Sequence, residues 1–274
     1  MSGLLWADLA RNAALSAVVL LLLMAATFAV AMAKGGLHRV VDSAWGLGFA
    51  ALAVAGWIAS TGQGEDAHRL LVAVLTAVWG LRLAAHIAWR GRGHGEDPRY
   101  ATMLDKAPGN RHVYALRKVY LLQGVLILLV SAPVQIALYA GAPPLPLTVA
   151  AIALWALGMF FEAVGDRQLA RFRADPANRG RLMDRGLWSW TRHPNYFGDF
   201  AVWWGLYLLA CSGWTAALVA LPAPLVMSAL LIFGSGKALL ERRMADRPGW
   251  AAYAARTSGF FPRPPRRPRE PADG

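Results

Sequence analysis

Seven apolar runs of roughly 18–22 residues, each long enough for a helix to cross the hydrocarbon core of a bilayer, leave this chain few folds to adopt. They are read as Ala13–Ala33, Val41–Ser60, Arg69–Trp89, Val119–Ala140, Leu147–Val164, Phe200–Ala220 and Pro222–Leu240. Lipid offers no water to a backbone amide, so a run of this length is satisfied by closing its hydrogen bonds within one helix. The expected fold class is all-α: a polytopic membrane protein with seven transmembrane helices. Composition agrees, since 57% of the 274 residues are hydrophobic and 16% are charged, whereas a soluble domain carries about 25% charged residues. The last two runs meet at Leu221-Pro222, which predicts a very short connection there. The first run is longer than a signal-peptide core and is expected to be retained as a span.

The net charge of +12 is unevenly placed. Arginine and lysine concentrate between runs one and two, three and four, five and six, and after run seven. The alternate connections carry only Arg69, and the N-terminal tail only Arg11. The positive-inside rule then sets the N-terminus outside and the C-terminus in the cytoplasm. Basic loops beside an anionic leaflet account for the charge without any nucleic acid. All sizeable polar loops fall on the cytoplasmic side, so a water-soluble ligand is expected to arrive from there. The expected organisation is one membrane domain over residues 1–261, its half from 145 to 261 carrying the ligand-binding signature. Residues 262–274, rich in Pro and Arg, are expected to be a disordered tail. The single cysteine, Cys211, lies in an apolar stretch and excludes an internal disulfide or a cysteine zinc cluster; no metal site is expected.

Polar residues at the mouth of a span are costly and mark function. The stretch Arg185–Trp204 (RGLWSWTRHPNYFGDFAVWW) places Arg192, His193, Asn195, Tyr196 and Asp199 at the start of a long apolar run, with Trp203 beyond them. Upstream, Glu162 and Asp166 are four residues apart and share a helix face, with Arg173 two turns further on. Carboxylates and guanidinium groups together suit a ligand with hydroxyls and phosphates, though an ion-pair network is the plainer alternative. In the second and third runs, Asp42 and Arg82 can form a register-fixing ion pair. Alternatively, Asp42 or His86 can deliver a proton, histidine being apt because its pKa lies near neutrality.

These residues resemble the C-terminal signature of the steroid 5-alpha-reductase superfamily. Val-Asp42-Ser-Ala-Trp45-Gly, Gly95-Glu-Asp-Pro-Arg-Tyr100 and Trp250-Ala-Ala-Tyr253 make the chain most similar to a bacterial membrane-protein branch of it. The resemblance implies NADPH bound at the inner helix ends and hydride transfer to an activated C=C bond of a lipophilic, steroid- or isoprenoid-like substrate. It implies cofactor contacts at Glu162, Asp166, Arg173, Asn195, Asp199 and Trp203, and Arg192, His193, Tyr196, Glu241 and Tyr253 join them as cofactor-binding candidates. Glu162 replaces the family's Asn, and Asp199 its Glu. The family's Gln-Glu pair is missing from the second run, and its catalytic Tyr position falls on Ile87, leaving Asp42, Arg82 and His86 as the catalytic candidates. Arg192-His193-Pro194 with a downstream acid such as Glu241 is also similar to isoprenylcysteine and phospholipid methyltransferases, which implies S-adenosylmethionine as the alternative cofactor. A non-enzymatic lipid-binding or transport role is the third reading. The expected location is a bacterial inner membrane, with membrane lipids and a lipophilic small molecule as partners.

Overall fold

The computed structural model describes residues 3–234 and 236–265, and every regular element among them is helical. Of the Pro- and Arg-rich tail, residues 262–265 form no helix and 266–274 lie outside the described residues. In chain order the helices are α1 Gly3–Ala33, α2 Val41–Ala59, α3 Asp66–Gly91, α4 Pro98–Leu104, α5 Arg111–Ala115, α6 Leu121–Val130 and α7 Ala132–Ala137. They continue as α8 Leu145–Ala174, α9 Leu187–Trp190, α10 Pro194–Ala210, α11 Trp214–Ala220, α12 Pro222–Ile232, α13 Lys237–Met244 and α14 Trp250–Arg256. Among the described residues, six helical stretches are long and apolar enough to cross a membrane: Trp6–Ala33, His38–Ala59, Asp66–Gly91, Arg111–Val130, Leu145–Ala174 and Trp214–Met244. Apolar side chains such as Leu21, Leu22 and Leu122 stand more than half exposed on them, as lipid-facing residues do and a soluble surface does not. The chain is an integral membrane protein.

Several boundaries differ from expectation: α1 begins at Gly3 rather than Ala13, and α8 runs on to Ala174 rather than stopping at Val164. The fourth span begins at Arg111, its start joined to α6 by a π turn at Leu116–Tyr120, and it stops at Val130 rather than Ala140. Pro133 accounts for the stop: it lacks an N–H and would clash with the carbonyl four residues back, so a new short helix starts with it in the first turn. Phe200–Ala220 is not one helix either. α10 ends at Ala210, and Gly213 is fully extended (φ −177°, ψ 167°). The connection expected at Leu221-Pro222 lies instead at Cys211–Gly213. Leu221 keeps helical dihedrals, and Pro222 occupies the start of α12, where its missing N–H costs nothing.

The chain forms two compact units, Met1–Leu145 with Leu206–Ala223, and Pro146–Gly205 with Pro224–Gly274. In the first, α2 and α3 touch backbone to backbone. A Cβ on Gly46 would fall 2.3 Å from the Gly80 carbonyl, and one on Gly80 would fall 2.5 Å from that of Gly46. Ala50 and Ala84 continue the contact one turn on, so each helix presents a small-xxx-small face, the usual means of close approach in lipid. Trp79 and Phe49, both fully buried, pack ring to ring at 5.5 Å. In the second unit α8 and α10 repeat the device with Gly158 and Gly198.

Candidate functional site

The second unit gathers its polar residues around the turn before α10. Trp188 donates its indole N–H to the Gly165 carbonyl (2.9 Å), and the Leu187 N–H donates to Gln168 Oε1 (3.0 Å), which fastens α9 onto α8. Thr191 Oγ1 donates to the Phe260 carbonyl (2.7 Å), and the Arg192 N–H to the Ser258 carbonyl (2.9 Å), which fastens the same turn to the segment after α14. Pro194 then opens α10 at a position where no N–H is needed.

Glu241 on α13 is the hub. Its Oε1 accepts from Arg192 Nε at 2.9 Å and lies 3.2 Å from His193 Nε2, and its Oε2 lies 3.6 Å from Lys237 Nζ. Arg192 Nη1 also donates to the carbonyls of Thr257 (2.7 Å) and Ala254 (3.0 Å), and the guanidinium sits over the Trp250 ring at 5.8 Å. The His193 ring stacks on Tyr196, with centroids 5.5 Å apart and planes within 7°. Burial lowers the pKa of His193, partly opposed by Glu241; the neutral ring donates from Nε2 to a carboxylate whose charge Arg192 already balances. Asn195 Nδ2 donates to Asp166 Oδ1 at 3.3 Å, so the two sequence patterns, 29 residues apart, meet on one face. Tyr253 is buried and donates its hydroxyl to the Trp188 carbonyl (2.6 Å), and burial raises its pKa.

Beside this cluster lies a cavity of about 320 Å³ lined by Arg192, Arg256, Arg263, Thr257 and Ser258. Arg192 makes no hydrogen bond through Nη2 among the described residues, and Arg256 is paired with Asp184. Thr257 Oγ1 is buried and also has no hydrogen-bond partner there. Three arginines and an unsatisfied hydroxyl suit an anionic ligand with multiple oxygen atoms.

The first unit holds a second polar cluster at the start of α2. Glu96 accepts the backbone N–H groups of His38 (2.6 Å), Arg39 (2.8 Å) and Asp97 (2.9 Å), capping the 3-10 turn that leads into α2. Asp97 caps α4 by accepting from the Arg99 N–H at 2.8 Å. Asp42 accepts from Arg99 Nη2 (2.7 Å) and from the Tyr100 hydroxyl (2.5 Å). The expected Asp42–Arg82 pair is therefore replaced: the loop after α3 folds back and delivers Arg99 to Asp42. The hydrogen bond to Asp97, with the charge of Asp42, raises the pKa of Arg99; burial and Asp42 raise that of Tyr100, which stays a donor. Burial works against ionising Asp97, but hydrogen bonds from Arg99 outweigh it and its pKa is lowered. Asp42→Asn is expected to cost about 2 kcal/mol, less than a fully buried pair because Arg99 is partly exposed. The melting midpoint in detergent measures it; a midpoint equal to wild type would mean that the clasp contributes nothing.

The expected cofactor residues thus divide. Arg192, His193 and Glu241 are in mutual contact, and Asp166 meets Asn195. Glu162, Asp199 and Trp203 are buried, Trp203 completely. Arg173 is exposed in the last turn of α8. Of the catalytic candidates, Asp42 is held by the clasp, and His86 stands half-buried beside Trp89 (6.1 Å between rings), one turn from Arg82 on α3. Sequence reasoning did not single out Arg99, Lys237, Thr257 or Arg263. The EDPRY spacing carried a signal for the first, because Asp-Pro is a helix start that fixes Arg99 in its first turn.

In comparison with curated proteins and with solved structures, nothing matches the chain. One family profile does match, over residues 27–257, a stretch that contains the Asp42–Arg99 pair and the Arg192–His193–Glu241 contacts. The chain belongs to that family, described as protein of unknown function (DUF1295).

Proposed function

We propose that the protein is a membrane-embedded, NADPH-dependent reductase that transfers hydride to an activated C=C bond of a lipophilic substrate. The carrying observation is the cavity walled by Arg192, Arg256, Arg263 and the buried Thr257 hydroxyl. Phosphate groups match that donor set. S-Adenosylmethionine has no phosphate and carries a sulfonium cation. The residues fit a nucleotide cofactor in one further respect: Asn195 retains an amide N–H beyond the one given to Asp166. The other arm is the resemblance to steroid 5-alpha-reductases, with which the family is associated.

In this reading Arg192, Arg263 and Thr257 hold phosphate oxygens, and Asp166 and Asn195 hold hydroxyl or amide groups. Bound NADPH supplies the hydride. The reduction also takes up a proton, for which His86 and Asp42 are the candidate donors. α10, at 17 residues about 25 Å long, serves as a seventh span. The charge distribution supports an outside N-terminus and a cytoplasmic C-terminus in a bacterial inner membrane. A methyltransferase is the second reading, favoured by the way Glu241 receives both Arg192 and His193.

Thermal stabilisation of the detergent-purified protein separates the two. A saturable shift with NADPH, weaker with NADH and absent with S-adenosylmethionine, is expected. Arg263→Gln is expected to weaken NADPH binding about tenfold with an unchanged melting point of the free protein, as for one lost charged hydrogen bond. A shift with S-adenosylmethionine alone sinks the reductase.

A further inference from the structure

A cavity of about 680 Å³ in the first unit lies at the basic ends of α1, α2 and α3 and takes no part in the cofactor reading. Part of its lining is apolar. Ala26 and Val30 lie eight and four residues before Lys34, Leu47 eight after Arg39, and Ile87 three before Arg90. At 1.5 Å per helical residue the apolar wall reaches about 12 Å below the cations. Its rim is Lys34, Arg39, Arg90 and Arg92. Two carboxylates, Asp42 and Asp97, also line it, but both are bound by Arg99, which stands outside the lining. Lys34, Arg90 and Arg92 have no carboxylate within ion-pair distance among the described residues. Arg39 donates to the Gly95 carbonyl (2.5 Å), which aims its guanidinium across the rim.

We propose that this cavity seats one anionic phospholipid of the cytoplasmic leaflet, its phosphate among Lys34, Arg39, Arg90 and Arg92 and the first part of an acyl chain along Val30, Leu47 and Ile87. Charge complementarity selects the headgroup, because four cations against two carboxylates that share Arg99 leave the cavity with net positive charge. The apolar wall selects a lipid over a free phosphate, which would leave that wall facing water. The volume falls within the range of about 300–1,000 Å³ typical of small-molecule sites.

The test titrates the purified full-length protein in neutral detergent with phosphatidylglycerol, with phosphatidylcholine and with glycerol 3-phosphate. Retained lipid is counted by native mass spectrometry. One phosphatidylglycerol is expected to be retained, phosphatidylcholine not, and glycerol 3-phosphate not to compete at equal concentration. Arg92→Gln, on an exposed loop, is expected to weaken retention about fivefold, and Arg90→Gln with Arg92→Gln about 25-fold, the effect of one and two cations at an anionic surface. Ala88→Trp, which fills the apolar wall, is expected to remove retention without changing any charge. Lys118→Gln, exposed and outside the cavity, is expected to change nothing. Equal retention of phosphatidylcholine, equal loss with Lys118→Gln, or saturation by glycerol 3-phosphate would each overturn the proposal. Because none of these readouts uses NADPH, they are independent of the reductase reading.

Discussion

Gly198→Leu is expected to yield no folded protein, and Gly198→Ala to lower stability by about 3 kcal/mol, the upper end of the usual cost of overpacking. A Cβ at this position would lie 2.6 Å from Glu162 N and from the Gly158 carbonyl, and 2.8 Å from Glu162 Cβ. Two of those three atoms belong to backbone and cannot rotate away, so α8 and α10 must separate. Separation carries a second consequence, because Glu162 and Asp166 ride on α8 and Asn195 on α10. The Asp166–Asn195 hydrogen bond, already 3.3 Å long, breaks first. Melting in detergent checks the first effect, and NADPH-dependent stabilisation of whatever Gly198→Ala protein survives checks the second. Gly141→Ala is the control, since nothing lies within 4 Å of its added Cβ and its φ is not positive. A Gly198→Ala protein as stable as that control would show that the helices do not approach as described.

Glu241→Gln is expected to cost about 2–3 kcal/mol, because it leaves Arg192 and Lys237 without the carboxylate that balances them. Arg192→Lys is not expected to behave conservatively: one ammonium cannot span Glu241 and the carbonyls of Ala254 and Thr257 as the guanidinium does. The same cluster sets a pH dependence. Burial holds the His193 pKa below its ordinary value of about 6.5. The unfolded chain therefore binds a proton that the folded chain refuses. This contribution to stability is complete above pH of about 6.5 and is lost as pH falls through the lowered folded value. In Glu241→Gln the opposing, pKa-raising influence of Glu241 disappears, so the loss extends to lower pH. Melting curves between pH 8 and pH 5 for wild type, Glu241→Gln and His193→Gln measure this. A His193→Gln protein that keeps the full wild-type slope would assign the pH dependence to another group.

Hydropathy made the membrane fold legible because each run must satisfy its own backbone in lipid, and run length alone reports that. It was less informative about where helices stop. Leu221-Pro222 looks like a break because proline cannot continue a helix from its interior, yet Pro222 stands at a first turn and costs nothing. Cys211-Ser212-Gly213 looks like more of the same apolar run, yet α10 ends there. The local device of Asp97 and Pro98 could be read from spacing, but its target could not. Arg99 reaches Asp42 across 57 positions, and no periodicity links them.

The sequence by itself determined that this is a helical membrane protein with its cations concentrated in alternate connections between apolar runs, and that Arg192, His193, Asn195, Asp166 and Glu241 are polar where polarity is expensive. Length, charge and local spacing carry those facts because each depends on one residue and its near neighbours along the chain. Only the tertiary structure decided that Glu241 joins Arg192 to His193, that Asp42 is held by Arg99 rather than Arg82, and that cations from separate segments line two cavities. Partner choice among several arginines and carboxylates depends on distances of a few ångströms. Those distances are set by how closely glycine faces let the helices pack, which residue order does not encode one position at a time.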